Sequence, residues 1–362
     1  MAGNMAEAAE DTESTSPVQG TAAPRLAWID VIRAGGAFLV VLAHVILYPA
    51  LRGGGPLWAQ SLYYTASRVA VPLFFMASGY LLLGKQEGYN TFYRKRALRV
   101  FIPFLVWSFI YLAWNGGFSG GPFTIGSIAD GLLRILRGPR ASHLWFFYVL
   151  ISLYLITPTL RIFTTNAKPR DLVYFCGLWF LLDPVLNLIR YLFDVQIGFE
   201  FLFLTGYIGY YVLGHLLGRT ILTRRLLLAA IAVFLAAFAI VFLTVYAGQQ
   251  SPTYDQFYEG YLSVTVVSLT AAAFVLTRFI SSAVGTRALK WIQVLSSASL
   301  GIYLLHIIVL DLLDASISPL LAGMGSGSSI YMMPLVAIVG YVVCFVIVFV
   351  LQRVPVIRYT VP

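Results

Sequence analysis

The chain has 362 residues, of which 59% are hydrophobic and only 11% are charged. Soluble globular domains carry about 25% charged residues, so this composition excludes a soluble enzyme and indicates an integral membrane protein. The formal net charge of +9 fits attraction to the anionic inner leaflet of a membrane. We therefore expect contacts with membrane lipids and no nucleic-acid partner.

The N-terminal segment, residues 1–24, differs from the rest of the chain. It contains four acidic residues, no basic residue and no apolar run. Such a segment cannot bury enough apolar surface to fold, and it lacks the basic and apolar regions of a signal peptide. We predict a disordered cytoplasmic tail, so that the first apolar segment acts as the insertion signal.

Ten apolar segments of about the length that crosses a bilayer follow this tail. They lie at residues 27–50, 57–84, 98–115, 143–164, 172–190, 199–219, 226–247, 259–280, 291–315 and 331–352. The two cysteines, Cys176 and Cys344, lie singly inside spans, which indicates buried thiols and no metal site. The sequence thus predicts an all-α, polytopic membrane domain over residues 25–362 with ten transmembrane helices.

The basic residues predict the orientation of this domain. If the N-terminus is cytoplasmic, 17 of the 24 lysines and arginines lie on the cytoplasmic side of the spans and 5 on the external side. Cytoplasmic loops of membrane proteins are enriched in these residues. We therefore expect both termini to be cytoplasmic.

Arg33 and His44 are ionisable residues in the first predicted span, where a charged side chain costs free energy. Eleven residues separate them, which places both on one helix face about 16 Å apart along the axis. Ionisable groups in the hydrocarbon region are candidates for function. Arg33 lies in the inner half of the span and His44 near its external end.

Four other spans carry an ionisable residue at the same depth as His44. The count from each residue to the nearest cytoplasmic Lys or Arg is 16 to 19 residues for all five, which are His44, Arg68, His143, Glu200 and His306. Taken singly, the presence of each of these residues in a span is explained equally well without a function, because its side chain can extend to the polar membrane interface. Three histidines in one layer favour proton transfer near neutral pH instead.

The densest cationic patch, Arg94-Lys95-Arg96, follows the second span on the predicted cytoplasmic side. One interpretation is an anchor that pairs with anionic lipids. The other is a site for the phosphates of a cytoplasmic donor, since arginine forks suit phosphate. The sequence leaves both open.

Several short motifs follow one another along most of the chain. They are Ile29-Asp30 with Arg33-x10-His44; Arg68-x3-Pro72-x-Phe74-Phe75-x2-Ser78-Gly79; Arg94-x-Arg96 with Pro103; His143-Leu-Trp-Phe146 with Pro158; Ser299-Leu-Gly-Ile-Tyr-Leu-Leu-His306; and Pro355-Val-Ile-Arg358. In this order they resemble the acyltransferase-3 family of integral membrane acyltransferases, similar to bacterial polysaccharide O-acetyltransferases. The chain resembles the short form without a fused hydrolase-like domain.

This resemblance implies an activity and roles for individual residues. It implies an acyl-CoA donor, most simply acetyl-CoA, an acceptor that is a cell-surface glycan or lipid-linked sugar, and a location in the bacterial inner membrane. It also implies that Arg33 and His44 are essential and that Arg68, Arg94, Arg96 and His306 take part, with weaker support for His143 and Glu200.

The sequence leaves the chemical route open. His44 either deprotonates an acceptor hydroxyl or carries the acyl group as an acyl-imidazole. The remaining roles are expectations: Arg68 stabilises the oxyanion, and His306 or Glu200 orients His44 or the acceptor.

The main alternative to an enzyme is a transporter or flippase that moves a glycan or lipid-linked sugar without chemistry. Ten spans with an internal polar layer would suit it, but the inverted repeats typical of transporters are not evident in the sequence. A receptor or scaffold explains neither the histidine layer nor the cationic patch.

Overall fold

A computed structural model of the protein describes residues 26–48, 51, 56–116, 125–195, 204–251, 256–321 and 329–362. The predicted tail, residues 1–24, and the predicted site residue Glu200 lie outside these ranges. In the described residues every regular element is helical. The α-helices are α1 (Ala27–Val45), α2 (Leu57–Ser67), α3 (Ala70–Leu83), α4 (Tyr89–Arg96), α5 (Ile102–Trp114), α6 (Ile125–Arg137), α7 (Trp145–Asn166), α8 (Pro169–Phe180), α9 (Leu186–Phe193), α10 (Ile208–Arg219), α11 (Arg224–Gly248), α12 (Val264–Ser282), α13 (Thr286–Leu321) and α14 (Ser329–Leu351).

Short irregular helices join or precede some of these elements. A π-helical segment, Ala97–Phe101, connects α4 to α5, and another, Leu181–Val185, connects α8 to α9. Short 3₁₀ turns, Ser142–Leu144 and Phe257–Glu259, lie before α7 and α12. The α4–α5 and α8–α9 pairs therefore form continuous membrane-length segments.

The described residues contain nine helical stretches long and apolar enough to cross a membrane. They correspond to nine of the ten predicted spans, which confirms an all-α polytopic membrane protein. The sixth prediction, 199–219, differs: the described helix there is α10, with 12 residues. It begins only after a turn at Gly206, whose φ is +77°, and its length of about 18 Å is less than the hydrocarbon core of about 30 Å.

Contacts between distant residues define one end of the helical bundle. Trp28 at the start of α1 packs against Tyr80 near the end of α3, with ring centroids 4.7 Å apart, and against Phe274 on α12 at 5.2 Å. The guanidinium of Arg278 lies 5.8 Å from the Trp28 ring. We call this the basic end, because several of the predicted cytoplasmic cations lie here.

The opposite end is defined by contacts between the other helix termini. The Tyr48 hydroxyl, just after α1, donates to an Asp311 carboxylate oxygen at 2.6 Å. The Tyr63 hydroxyl on α2 donates to the Ile330 carbonyl at 2.7 Å. We call this the histidine end, since three of the four histidines lie toward it.

Helices α3 and α10 are packed in direct backbone contact. A Cβ atom at Gly79 would lie 1.8 Å from the Tyr211 carbonyl oxygen, and one at Gly214 would lie 2.1 Å from the Met76 carbonyl oxygen. Only residues without a side chain allow two helices to approach so closely. This contact holds α10 in the bundle although it is short.

Candidate active site

Three histidines from three different segments meet near the histidine end. The ring centroids of His44 on α1 and His306 on α13 are 4.7 Å apart. His143, in the turn before α7, lies 4.9 Å from His306 and 6.3 Å from His44. The depth count predicted a common layer for these side chains, and the structure brings them into one cluster.

Hydrogen bonds fix which ring nitrogen is protonated on two of these histidines. His44 Nδ1 lies 2.8 Å from the Val40 carbonyl oxygen, and His306 Nδ1 lies 2.7 Å from the Tyr303 carbonyl oxygen. A carbonyl only accepts, so Nδ1 carries the proton in each neutral ring and Nε2 keeps a free lone pair. Nε2 of His44 is thus available as a base or nucleophile.

The histidines differ in exposure. His143 and His306 are buried, whereas His44 is only half-buried. Both ring nitrogens of His143 and the Nε2 of His306 lack a hydrogen-bond partner among the described residues. Unpartnered buried polar atoms are uncommon and call for a water or a ligand. His44 is the member of the cluster that a substrate reaches most directly.

Two tyrosines hold the cluster in place. The Tyr303 hydroxyl donates to the His143 carbonyl at 2.6 Å. Tyr111 on α5 donates to the Leu304 carbonyl at 2.7 Å, and its ring lies 4.9 Å from that of His143. These bonds connect α5, α7 and α13 around the imidazoles, which preorganises the site.

Arg68 lies toward the same end of the molecule but is held separately from the histidines. It lies at the break between α2 and α3, and its Nε donates to the Glu259 carbonyl at 2.8 Å. Nη2 donates to the same oxygen, and the guanidinium lies 4.1 Å from the Tyr261 ring. Two of its five N–H groups are used in this way.

Glu259 is a site residue that the sequence reasoning missed. Its side chain is buried and accepts a hydrogen bond from the Tyr64 hydroxyl at 3.0 Å. The signal was present, because Glu259 lies 19 residues before Arg278, the same spacing that placed Glu200 in the layer.

Arg33 lies between the basic end and the histidines. It is half-buried on α1. Its charge and that of Arg96 both act on the Tyr154 hydroxyl of α7. Arg33 and Arg96 thus share Tyr154 of α7 as an electrostatic neighbour.

The cationic patch is larger than predicted and contains its own counter-ion. Glu87 forms ion pairs with Lys95 at 2.9 Å, with Arg96 at 3.2 Å and with Arg161 of α7 at 3.2 Å. Lys85 lies 3.9 Å away, and only 6% of the Glu87 side chain is exposed. We call these five residues the Glu87 cluster.

The Glu87 cluster is electrostatically asymmetric. Burial by itself raises the pKa of Glu87, but hydrogen bonds from Lys95 and Arg161 and the charges of Lys85 and Arg96 outweigh burial and lower the pKa below its usual value. One carboxylate faces four cations, so the cluster retains positive charge. Arg94, the third predicted donor residue, is exposed.

A groove of about 580 Å³ opens beside this cluster. Lys85, Glu87 and Arg161 line it together with Thr165 and Asn166 at the end of α7. Cations and neutral hydrogen-bonding groups in one concave surface suit a phosphorylated ligand.

The residues that the structure describes contain no group of three or more His, Cys, Asp or Glu side chains arranged to hold a metal ion. Glu200 lies outside the described residues, so its predicted role remains a prediction.

Comparison with known protein families agrees with the resemblance found in the motifs. The family model described as an acyltransferase domain, that of the acyltransferase-3 family, matches residues 26–353. No match is found among curated proteins or among solved structures. Because the match spans nearly the whole chain, including the histidine cluster and the Glu87 cluster, the chain belongs to the acyltransferase-3 family and is a multi-pass membrane acyltransferase.

Proposed function

We propose that the protein transfers an acyl group, most simply acetyl, from cytoplasmic acyl-CoA to a hydroxyl of a cell-surface glycan or lipid-linked sugar at the external face of a bacterial inner membrane. The observation that carries this proposal is the separation of two sites. A cationic groove lies at the basic end, and a cluster of three histidines lies toward the other. A charged donor and a hydroxyl acceptor need such separate environments.

The donor binds at the basic end. Arg96, Lys95 and Arg161 face the carboxylate of Glu87. The phosphates of CoA would displace this carboxylate and bind the same three cations. Arg94 contributes from the exposed face of α4. The side chains of Arg96 and Arg161 are only 14% and 10% exposed, which favours a phosphate site over a simple lipid anchor, since lipid headgroups do not require buried cations.

Arg33 guides the donor arm along α1. It lies about 16 Å from His44 along the helix axis, and its charge reaches the same tyrosine as that of Arg96. The pantetheine chain would pass Arg33 between the helices and carry the thioester toward His44.

His44 performs the proton transfer. Its Nε2 takes the proton from the acceptor hydroxyl while the oxygen attacks the thioester carbonyl, forming the C–O bond of a tetrahedral intermediate. The C–S bond then breaks, and the thiolate of CoA takes the proton back from Nε2. In the alternative route Nε2 attacks the thioester carbonyl and the C–S bond breaks, which releases the CoA thiolate. The acceptor oxygen then attacks the acyl-imidazole, the C–N bond breaks, and the hydroxyl proton passes to the CoA thiolate.

The neighbouring residues assist this reaction. Arg68 uses two of its five N–H groups to bind Glu259 and stabilises the oxyanion with the remaining N–H groups. His306 and His143 surround His44 and hold it in position, and Glu200 orients the acceptor.

Family membership and the histidine cluster favour this enzyme over a transporter or flippase. A transporter needs no base with a free lone pair at a fixed position. The test is to incubate the purified protein in proteoliposomes with radiolabelled acetyl-CoA and a hydroxyl acceptor. Label on the acceptor, or transiently on histidine, supports the proposal. Movement of the acceptor across the membrane without any label would refute it.

A further inference from the structure

Helices α1 and α13, which carry His44 and His306, and helix α5, whose Tyr111 packs against His143, each lead to a second side chain farther toward the histidine end. On α1 and just after it the two side chains are His44 and Tyr48. On α5 they are Tyr111 and Trp114, and on α13 they are His306 and Asp311. All three helices run from the basic end to the histidine end. The second side chains follow by three to five residues, which is about 5–8 Å along a helix, so they form a layer directly outside the histidines.

The members of this outer layer are joined to each other through Asp311. The Tyr48 hydroxyl donates to Asp311 Oδ1 at 2.6 Å, and the indole Nε1 of Trp114 donates to Asp311 Oδ2 at 2.8 Å. Each carboxylate oxygen accepts one of these bonds and retains capacity for a second. The helix ends are thereby fixed around one carboxylate.

This layer is accessible from outside the bundle. Asp311 and Tyr48 are half-buried, and 44% of Trp114 is exposed. An exposed indole held at one edge by a hydrogen bond presents a rigid apolar face beside a polar group. A carboxylate beside an aromatic face suits a ligand that has several hydroxyl donors and an apolar ring face, which is the chemistry of a sugar.

We propose that Tyr48, Trp114 and Asp311 form an acceptor subsite that binds one hydroxylated sugar ring next to His44. Asp311 accepts hydrogen bonds from ring hydroxyls, Trp114 covers a ring face, and a further hydroxyl is directed toward His44 Nε2. This inference rests on the proposed acyl transfer and adds the residues that recognise the acceptor. It also predicts that the acceptor is recognised by its neutral sugar ring.

The test uses the full-length protein in detergent or proteoliposomes with radiolabelled acetyl-CoA. Methyl glycosides of glucose, galactose and N-acetylglucosamine serve as acceptor probes, and hydrolysis of acetyl-CoA by water is followed in parallel. Asp311→Asn should raise the KM for the glycoside about ten- to hundredfold, because hydrogen bonds to a charged group are lost. The KM for acetyl-CoA and the rate of hydrolysis should stay unchanged.

Two further variants make this test specific. Asp130→Asn removes a carboxylate from α6 that pairs with Arg134 at 2.7 Å, whereas Asp311 is bonded to Tyr48 and Trp114, so this change should leave the glycoside KM unchanged. Trp114→Ala removes a partly exposed side chain and should raise the glycoside KM even if Asp311→Asn fails to fold.

The possible outcomes separate this inference from the proposed function. Transfer to a glycoside with the same KM in wild type, Asp311→Asn and Trp114→Ala overturns the subsite alone. Hydrolysis of acetyl-CoA without transfer to any glycoside also overturns the subsite but leaves acyl-CoA chemistry in place. If the wild type neither hydrolyses acetyl-CoA nor transfers its acyl group, the proposed function itself is wrong.

Discussion

The role of His44 Nε2 is tested most directly by His44→Asn. The asparagine amide nitrogen lies near the position of the imidazole Nδ1, so it can keep the hydrogen bond to the Val40 carbonyl that is 2.8 Å long in the protein. The change removes Nε2 and its lone pair. The helix should therefore remain intact while the base is lost.

The expected size of the effect follows from these contacts. Loss of a positioned general base lowers the rate about 10²–10⁴-fold, which corresponds to about 3–5 kcal/mol of transition-state stabilisation. The free energy of unfolding should change little in His44→Asn. In His44→Ala the bond to Val40 is lost as well, which costs about 1 kcal/mol of stability.

The assay measures kcat and KM for acetyl transfer together with thermal unfolding of each purified variant in the same detergent. We expect His44→Asn to unfold near the wild-type temperature with kcat reduced at least a hundredfold and the donor KM nearly unchanged. A folded His44→Asn protein that keeps more than about a tenth of the wild-type kcat would contradict the assignment of Nε2 as base or nucleophile.

Five further variants test the donor site and the packing of the bundle. Arg96→Ala should raise the KM for acetyl-CoA roughly tenfold, whereas the exposed Arg94→Ala should change it less; equal small effects would indicate a lipid anchor. Because the pKa of Glu87 is lowered in the folded protein, its stabilisation is present above the ordinary value of 4.5 and is lost as the pH falls through the lowered pKa. Melting temperatures should accordingly fall more steeply below pH 4.5 in the wild type than in Glu87→Gln, and parallel curves would show that the carboxylate contributes nothing. Gly79→Ala places a Cβ 1.8 Å from the α10 backbone and should destabilise the protein by about 1–3 kcal/mol. Gly177→Ala, with nothing within 4 Å of its Cβ, should be neutral or stabilising, and similar melting temperatures for these two variants would refute the close packing.

The spans were predictable because their length and apolar composition decide whether a segment crosses the membrane. Nine of the ten predictions correspond to long helices in the described chain. In the sixth, residues 199–203 lie outside the described chain, and the described helix begins only at Ile208, after a turn at Gly206. Hydropathy averages over such a turn and does not register the change in backbone direction.

The histidine layer was predictable in depth but not in lateral position. Counting residues from the predicted cytoplasmic anchors assigns His44, His143 and His306 a common height, since a helix rises by a fixed amount per residue. It does not say which helices are neighbours or how each is rotated. For the same reason the count assigned Arg68 the depth of His44 but did not indicate that its guanidinium is bonded to the Glu259 carbonyl.

The Glu87 cluster shows a second limit of the sequence. The run Arg94-Lys95-Arg96 was visible, but Arg161 joins it from 74 residues farther along the chain than Glu87. Pairs of this kind depend on tertiary packing of α7 against the end of α3. Only the structure reveals that the patch has a counter-ion.

The backbone contact between α3 and α10 also constrains how the protein can move. Interfaces without intervening side chains leave no layer that could slide or repack, so these two helices are expected to shift as a single rigid body. Opening a route for the acyl group then requires displacement of α1, α7 or α13 relative to that body. Cross-linking α3 to α10 should therefore leave turnover intact, whereas cross-links that tie α1, α7 and α13 to α3 should stop it.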